Sequence, residues 1–489
     1  MAVSTSIHVP IVRRSVRVSE WLAAIIVLLG IVGMAFASPP LVGPDEAAHQ
    51  ATASYLTVHI LPPVAETEDY APGILHLPVC MAFLADQDAS CSIERSQGSP
   101  GMTRIFNYPP LYYWVVGLGQ KAAPGADTWL DVGGRVASLL LNVAGLTLLA
   151  LLVRRRYRSW GTYLLLVTTP MAAFLWAVVN PNGWEVTTGL LFAFFLSQVW
   201  WGPPTASDQV APRLFMLTAL GVSSFLFGWS RHEALVWLVL LLLSVLLMGR
   251  SRAPRSNQGW FLAIAAIGVI PGLAWQVTHP AQHIDHNPDR VLNPTLLDHL
   301  HWLNQIDAVL PDRVRQMVGV VGSLDTPVPQ WLVIVLIAGW AALGGILYAR
   351  KRIPVMVLVM GFIGTIAVPS VMEMLRWNDW PYWYQGRITL SFAVPFLFVF
   401  LLKYAHRGRR AAVVLSIVSG GVLTLMVAET FARYAFGIKD YIPLRLSDPA
   451  VGVVPLVGSL VAVTVMLLLT LTRVVLEVGP PSRHSEVSS

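Results

Sequence analysis

Long apolar runs separated by short polar segments fill most of the chain. Each run approaches the roughly 20 residues that a helix needs to cross a bilayer. The runs with few or no charges are 21–37, 136–153, 160–179, 186–201, 214–229, 234–248, 260–278, 331–348, 353–372, 388–402, 411–428 and 450–472. A segment in lipid must pair its own backbone amides, so these runs predict helices. The pattern predicts an all-α integral membrane protein with about 12 transmembrane helices, in a range of about 11–13.

Composition supports the same class of protein. Of the 489 residues, 55% are hydrophobic and only 12% are charged, whereas soluble domains carry about 25% charged residues. A single soluble core stops growing near ~250–300 residues and could not absorb this much apolar sequence. The net charge of +6 is therefore interpreted as a topology signal, and a nucleic-acid partner is not expected.

Basic residues alternate between the connecting segments. With the N-terminus inside, the short internal segments hold 20 of the 33 lysines and arginines, and 23 of the 27 acidic residues fall outside. This distribution predicts a multi-pass cell-membrane protein with both termini in the cytoplasm. The predicted parts are a cytoplasmic N-terminus 1–20, a first transmembrane helix 21–37, an extracytoplasmic loop 38–131, a transmembrane domain 132–472 that includes an extracytoplasmic loop 279–330, and a disordered cytoplasmic tail 473–489.

The motif Pro44-Asp45-Glu46-Ala47-Ala48-His49 follows the first predicted helix. Two adjacent carboxylates at a membrane surface are costly to bury and can bind a cation, a hydroxyl group or a proton. If a helix begins at Pro44, His49 lies on the same face as Asp45. The alternative is an N-cap at Asp45, which accounts for one acid but not for the pair and the histidine.

The same loop contains an aromatic stretch, from Asn107 and Tyr108 through the apolar segment 109–118. The segment is too short to span a bilayer, and it predicts an interfacial helix at the headgroup level. A proline at the first helical turn and an aromatic belt account for the stretch structurally. Contact with a lipid substrate is the alternative for Asn107 and Tyr108.

Cys80 and Cys91 are the only cysteines, and both fall in this loop. Two cysteines at this spacing give no metal-binding framework, and no metal site is predicted. A disulfide is compatible with an extracytoplasmic loop, and two free thiols are the alternative.

Three later external segments carry candidate site residues. Arg231 and His232 lie in a tight hairpin, where an arginine can bind a lipid phosphate or extend to the headgroups. Asp325 precedes a span and is either a helix cap or a ligand-facing acid. Gln385 and Arg387 begin another span beside several aromatic residues, a combination that suits a sugar phosphate or pyrophosphate.

The motifs Pro-Asp-Glu-x-x-His, Asn-Tyr-Pro-Pro-Leu-Tyr-Tyr, Leu-Asp-Thr-Pro-x-Pro and Gln-Gly-Arg occur in this order. From about residue 20 to 430 the chain thereby resembles the bacterial family called domain of unknown function 2142. It departs from the family pattern at Asn182 and Ile388. The wider layout resembles the GT-C superfamily of integral-membrane glycosyltransferases, which transfer sugars from polyprenyl-phosphate carriers outside the cytoplasm.

The GT-C resemblance implies a fold with interfacial helices in the long first loop. It also implies that Asp45 or Glu46 is the catalytic base and that Arg231 and Arg387 bind the lipid phosphate. Further substrate-binding or lipid-phosphate-binding residues are expected to be His49, Asn107, Tyr108, His232, Asp325 and Gln385.

The predicted function is a polyprenyl-phosphate-sugar-dependent glycosyltransferase in cell-envelope glycan assembly. Its expected partners are a lipid-linked sugar donor, a glycan or lipid-linked acceptor, and membrane lipids; the cofactor is open, with a divalent cation compatible. One alternative is a transporter or flippase of a lipid-linked glycan, which would need charges deep in the spans. The other is a non-catalytic membrane scaffold, in which Asp45, Glu46 and Arg387 would tolerate alanine.

Overall fold

A computed structural model shows a nearly all-helical chain. It describes residues 9–62, 84–92, 108–123, 127–201, 210–250, 255–279, 291, 293–349, 353–378, 384–405, 408–439, 442–443 and 453–478. The helices in these ranges are α1 (Val9–Ala37), α2 (Glu46–Tyr55), α3 (Leu111–Ala122), α4 (Asp127–Val153), α5 (Trp160–Val167), α6 (Pro170–Ala177), α7 (Pro181–Trp200), α8 (Val210–Gly228), α9 (Ala234–Met248), α10 (Arg255–Ala265), α11 (Val269–Thr278), α12 (Leu296–Gly319), α13 (Gln330–Ala349), α14 (Val355–Phe362), α15 (Val368–Arg376), α16 (Leu390–Tyr404), α17 (Arg409–Phe436) and α18 (Val453–Val478).

The remaining regular elements are short. Two antiparallel pairs join β1 (Val320–Val321) to β2 (Thr326–Pro327) and β3 (Ile438–Lys439) to β4 (Ile442–Pro443). A π-helical turn links α14 to α15, and a 3₁₀ turn at Gly386–Thr389 opens α16.

Membrane-spanning character is evident in many of these helices. Within the described ranges, eight helical segments are long and apolar enough to cross a bilayer, and nine if α5 and α6 count as one broken span. Two shorter apolar helices, Leu214–Gly228 and Ala234–Met248, coincide with predicted spans. The integral membrane class is thus confirmed, while the count of about twelve stays a prediction.

The apolar run 160–179 differs from the single helix that its composition predicts. It forms α5 and α6, whose axes are bent by 87°. Pro170 has no N–H to continue the backbone ladder, and it occupies the first turn of α6. Thr169 caps that turn by accepting a hydrogen bond from the Ala172 amide at 3.1 Å. The prediction of one unbroken helix is therefore wrong.

The centre of the bundle includes α7 and α16. All residues of α7 except Val199 are buried, and 89% of the span that contains α16 is buried, against 22% for the span in α18. A helix that is hydrophobic all round belongs in a core or in lipid. The outer helices instead leave apolar side chains exposed, including Leu460, Leu467 and Leu471 of α18, and lipid is the medium that covers such faces.

Polar contacts gather at two ends of the bundle. At one end, Arg409 pairs with Glu477 at 3.0 Å, and both lie in segments predicted to be inside. At the other end, Asn180 donates to the Pro44 carbonyl at 2.8 Å, joining two segments predicted to be outside. In each of these two contacts, both partners come from segments predicted to lie on the same side of the membrane. Which end faces the cytoplasm stays a prediction from the charges.

The first loop contributes two helices to this second end. The predicted helix over 109–118 corresponds to α3, which packs against α4 and α2. Its buried residues include Tyr112, Tyr113 and Val116. The aromatic stretch therefore forms part of the wall around the turn that carries Asp45.

Candidate functional site

The turn between α1 and α2 has an unusual backbone. Leu41 and Asp45 adopt left-handed conformations, with φ of 71° and 57°, a region that is uncommon for residues other than glycine and easiest for Asp or Asn. Asp45 occupies the N-cap position of α2, but its side chain makes no capping hydrogen bond. Capping therefore does not account for this acid. His49 lies one turn later, as the motif predicts, and its amide donates to the Asp45 carbonyl at 3.0 Å.

Glu46, the second acid of the motif, is fully buried. Its carboxylate accepts two hydrogen bonds from Arg135 of α4, each 2.6 Å long. It also accepts from the Gly43 amide at 2.9 Å and the Val179 amide at 3.1 Å. Each oxygen thus has two donors, and no lone pair remains directed at a substrate. The geometry gives Glu46 a structural role and leaves Asp45 as the candidate base.

Arg135 fixes the rest of the turn. Its Nη1 and Nη2 groups donate to the carbonyls of Ser38 and Pro39, both at 2.6 Å. With the Glu46 pair, these bonds tie the end of α1, the turn and the start of α2 to α4. Arg135 is not among the predicted site residues, although a basic residue at the edge of an apolar run in a charge-poor chain is a usable signal.

Asp45 pairs with Arg387 across a separation of 342 residues, with Nη2 and Oδ2 2.5 Å apart. The Asp45 side chain is 59% accessible and that of Arg387 only 6%, while Pro44 and Glu46 beside Asp45 are buried. The carboxylate therefore faces an open recess walled by protein. The Nε and Nη1 groups of Arg387 are buried and have no hydrogen-bond partner in the described part of the chain.

The charge state of Asp45 follows from its neighbours. The surrounding protein atoms raise the pKa of the carboxyl by desolvation, but the positive charge of Arg387, with a smaller effect of Arg231, moves the pKa below its usual value. Asp45 is consequently an ionised acceptor at neutral pH.

Arg231 is inside the protein, not extended to a headgroup region. Its Nη2 donates to the Tyr108 hydroxyl at 2.8 Å, and its guanidinium carbon lies 5.1 Å from the centre of that ring. Its Nη1 contacts the Asn182 carboxamide oxygen, and carboxylate oxygens of Glu185 and Glu233 lie at 3.5 and 3.4 Å. Snorkelling is excluded by these contacts. Nε of Arg231 is buried and has no hydrogen-bond partner among the described residues.

His49 is buried between aromatic rings. Its Nδ1 lies 2.9 Å from the Tyr113 hydroxyl, and its ring stacks on Tyr108 at 6.1 Å between centroids. Burial lowers the pKa of His49 to about 3, and the charges of Arg231 and Arg387 act in the same direction although Asp45 opposes them. The imidazole is therefore neutral at physiological pH, and it lines the recess without adding charge.

The structure thus unites residues from four separate segments of the sequence. His232 also belongs to this group, because its ring lies 5.9 Å from that of Tyr108. We call this group the recess cluster; the predicted residues that form it are Asp45, His49, Tyr108, Arg231, His232 and Arg387.

Asp325 and Gln385, two of the predicted site residues, are not part of the recess cluster. Asp325 pairs with Arg433 of α17 at 3.1 Å, and both side chains are buried, so this acid joins the β1–β2 turn to the bundle. Its expected place in the phosphate site is not supported by this geometry. Gln385 is half-buried next to the 3₁₀ turn, and its Oε1 atom has no hydrogen-bond partner within the described ranges.

Three of the predicted residues lie wholly or partly outside the described residues. Asn107 and Cys80 lie outside the described residues, as does the side chain of Cys91, so a disulfide between the cysteines stays a prediction. Among the side chains that are described, no three His, Cys, Asp or Glu groups converge as a metal site.

The cluster also includes three residues that are not among the predicted site residues. Glu185 accepts a hydrogen bond from the Ser391 hydroxyl at 2.7 Å and lies next to Arg231, as do Asn182 and Glu233. Glu185 begins the apolar stretch of α7, and a carboxylate at such an edge is the available signal.

Comparison with known proteins assigns the chain to a family of membrane proteins. The family model described as "Predicted membrane protein (DUF2142)" matches residues 28–387. The chain belongs to this family, as its four motifs indicate.

Among solved structures, the chain is similar to ArnT from Cupriavidus metallidurans bound to undecaprenyl phosphate, with a TM-score of 0.42. It is also similar to the apo state of the same protein, with a TM-score of 0.44. In both cases the identity is 14%, and the similarity covers 94% of this chain and 76% of the other. A comparison with curated proteins gives no match.

The two acids of the motif are expected to respond differently to substitution. Glu46→Gln leaves the buried Arg135 charge without its counter-ion, which costs about 3–5 kcal/mol. The Tm of the purified protein should fall markedly, and by more than in Asp45→Asn, because both members of the Glu46–Arg135 pair are buried whereas the Asp45 carboxylate is exposed to solvent. Equal Tm values for wild type and Glu46→Gln would contradict the structural role of Glu46.

Stability should also depend on the pH through His49. Its pKa of about 3 in the fold lies below its ordinary 6.5, so the unfolded chain binds an additional proton between these values and stability falls as pH decreases. At pH 5 the loss is about 2 kcal/mol relative to pH 7. The decrease in Tm between pH 7 and pH 5 should be smaller in His49→Gln than in wild type. An identical decrease would show that His49 is not the group responsible.

Proposed function

We propose that the protein is a polyprenyl-phosphate-sugar-dependent glycosyltransferase that acts on the extracytoplasmic face in cell-envelope glycan assembly. The observation that carries the proposal is the accessible, ionised Asp45 carboxylate next to the buried Arg387 guanidinium, whose Nε and Nη1 atoms have no hydrogen-bond partner among the described residues. A base and an anion-binding group side by side are what transfer from a sugar phosphate requires.

In the proposed reaction, Asp45 removes the proton from an acceptor hydroxyl group. The hydroxyl oxygen forms a bond to the anomeric carbon of the donor sugar as the bond between that carbon and the phosphate oxygen breaks. The products are the glycosylated acceptor and the polyprenyl phosphate, which retains the electron pair of the broken bond. The accessibility of Asp45 supports this role, because an acceptor must reach its carboxylate directly.

Arg387 and Arg231 are the proposed partners of the lipid phosphate. Guanidinium groups bind phosphate oxygens with directed hydrogen bonds. Arg387 and Arg231 retain donors that have no hydrogen-bond partner within the described ranges. A phosphate at Arg387 would also neutralise part of the charge that now lowers the pKa of Asp45. Donor binding would therefore make Asp45 a stronger base at the moment when the proton must be removed.

The recess cluster also bears on the alternatives. A transporter would need charges deep in the spans, along a path through the bundle, whereas Asp45, Arg231 and Arg387 meet at one end of it. A scaffold would not need an accessible carboxylate held against a buried arginine. The scaffold alternative predicts normal glycan when Asp45 is replaced.

The test is replacement of the base in cells. A strain without the gene is first used to identify the envelope glycan that depends on this protein. Asp45→Asn should reduce the rate of transfer at least about 100-fold, as expected when a general base is removed, and that glycan should therefore disappear. The matched control is Asp312→Asn, the same chemical change at an exposed position of α12.

Membrane abundance of both variants is measured by immunoblotting, so that loss of protein is separated from loss of chemistry. Unchanged glycan with Asp45→Asn would reject the catalytic role. An equal loss of glycan with Asp312→Asn would also count against it, because the loss would then reflect a general sensitivity of the protein to Asp→Asn changes.

A further inference from the structure

A second polar region lies at the opposite end of α1 from Asp45. It is a cavity of about 700 Å³ next to Arg17, which is followed by 20 residues of α1 before the turn. At 1.5 Å per residue, the two regions are separated by about 30 Å, the thickness of a bilayer core. The proposed sugar transfer makes no use of this cavity.

Arginine dominates the lining of the cavity. One side chain comes from α1 and four come from the connection between α4 and α5, namely Arg17, Arg154, Arg155, Arg156 and Arg158. None of the five has a carboxylate partner among the residues that the structure describes. Five positive charges around one cavity repel each other unless an anion lies between them.

The one acid in the lining does not balance this charge. Glu20 is buried and accepts hydrogen bonds from the Thr162 amide at 2.8 Å and from the Thr162 hydroxyl at 3.0 Å. Glu20 also lies 3.8 Å from Arg409, which does not line the cavity. The charge of Glu20 is thus committed to the packing of α1 against α5.

The cavity wall is also held in place by specific contacts. Arg156 donates to the Gln198 side chain at 2.8 Å, and the Arg154 guanidinium carbon lies 5.2 Å from the centre of the Trp21 ring. Trp21 in turn meets Trp160 edge-on, with 5.0 Å between ring centroids. Arg17, Arg154, Arg155 and Arg158 are exposed. They nevertheless surround one preformed space next to Trp21 and Trp160, and tryptophans are common at membrane interfaces.

We propose that this cavity binds the phosphate of an anionic phospholipid headgroup. Planar guanidinium groups match phosphate oxygens, and basic pockets between transmembrane helices are suited to anionic headgroups. The cavity lies where α1 leaves the bilayer, so the acyl chains of such a lipid would run along the apolar outer faces of the bundle. A soluble phosphate compound shares the headgroup chemistry, and the experiment separates the two sources.

The experiment measures lipid binding to the full-length protein in detergent by native mass spectrometry. Phosphatidylglycerol, phosphatidylcholine and inorganic phosphate are titrated separately, and inorganic phosphate is also added as a competitor. The test variant is Arg154→Gln/Arg155→Gln. The matched control is Arg250→Gln/Arg410→Gln, which removes two exposed arginines from segments predicted to lie at the same end but outside the cavity.

Wild type and control should bind phosphatidylglycerol at least about tenfold more tightly than phosphatidylcholine, and the cavity variant should lose most of this preference. Tm and size-exclusion profiles without lipid confirm that each variant is folded. Equal losses in both double variants would overturn the proposal in favour of diffuse attraction. Displacement of the lipid by equimolar inorganic phosphate would overturn it in favour of a soluble ligand.

Discussion

The buried ion pair between Glu46 and Arg135 is the constraint on which the candidate site depends. Arg135 binds both carboxylate oxygens and two carbonyls at the end of α1, while Glu46 also accepts an amide from the start of the α7 hairpin. Three parts of the chain are thereby fixed around one turn. A buried pair of this kind is costly to break once formed, because either partner alone is an uncompensated charge.

Asp45 can remain accessible because its neighbour holds the turn. The left-handed backbone at Asp45 directs the carboxylate away from the helix it precedes and towards Arg387. Strained or sparsely populated backbone conformations persist only where the surroundings hold them in place, and the Arg135 contacts provide that support. Two adjacent acids thus have distinct environments: Glu46 is fixed by Arg135, and Asp45 presents a charged oxygen next to Arg387, whose Nε and Nη1 atoms have no hydrogen-bond partner in the part of the chain that the structure describes.

Much of this arrangement can be predicted from local sequence, and the rest depends on distant contacts. Helical spacing places Asp45 and His49 on one face, and charge alternation brings Arg231 and Arg387 to the same end of the bundle. The sequence does not distinguish Asp45 from Glu46, because their difference arises from Arg135, which is 89 residues from Glu46. Asp325 lies in a motif that suggests a site residue, but it forms a separate buried ion pair with Arg433 of a distant helix.

The most direct measurement is undecaprenyl phosphate binding by native mass spectrometry, in micelles with excess phosphatidylglycerol to occupy the opposite cavity. Wild type, Arg387→Gln and Arg250→Gln are compared, with the Tm of each as a check on folding. If Arg387 binds the lipid phosphate beside Asp45, its replacement should weaken binding at least about tenfold and Arg250→Gln should have no effect. Unchanged affinity in a folded Arg387→Gln variant would contradict the proposed site.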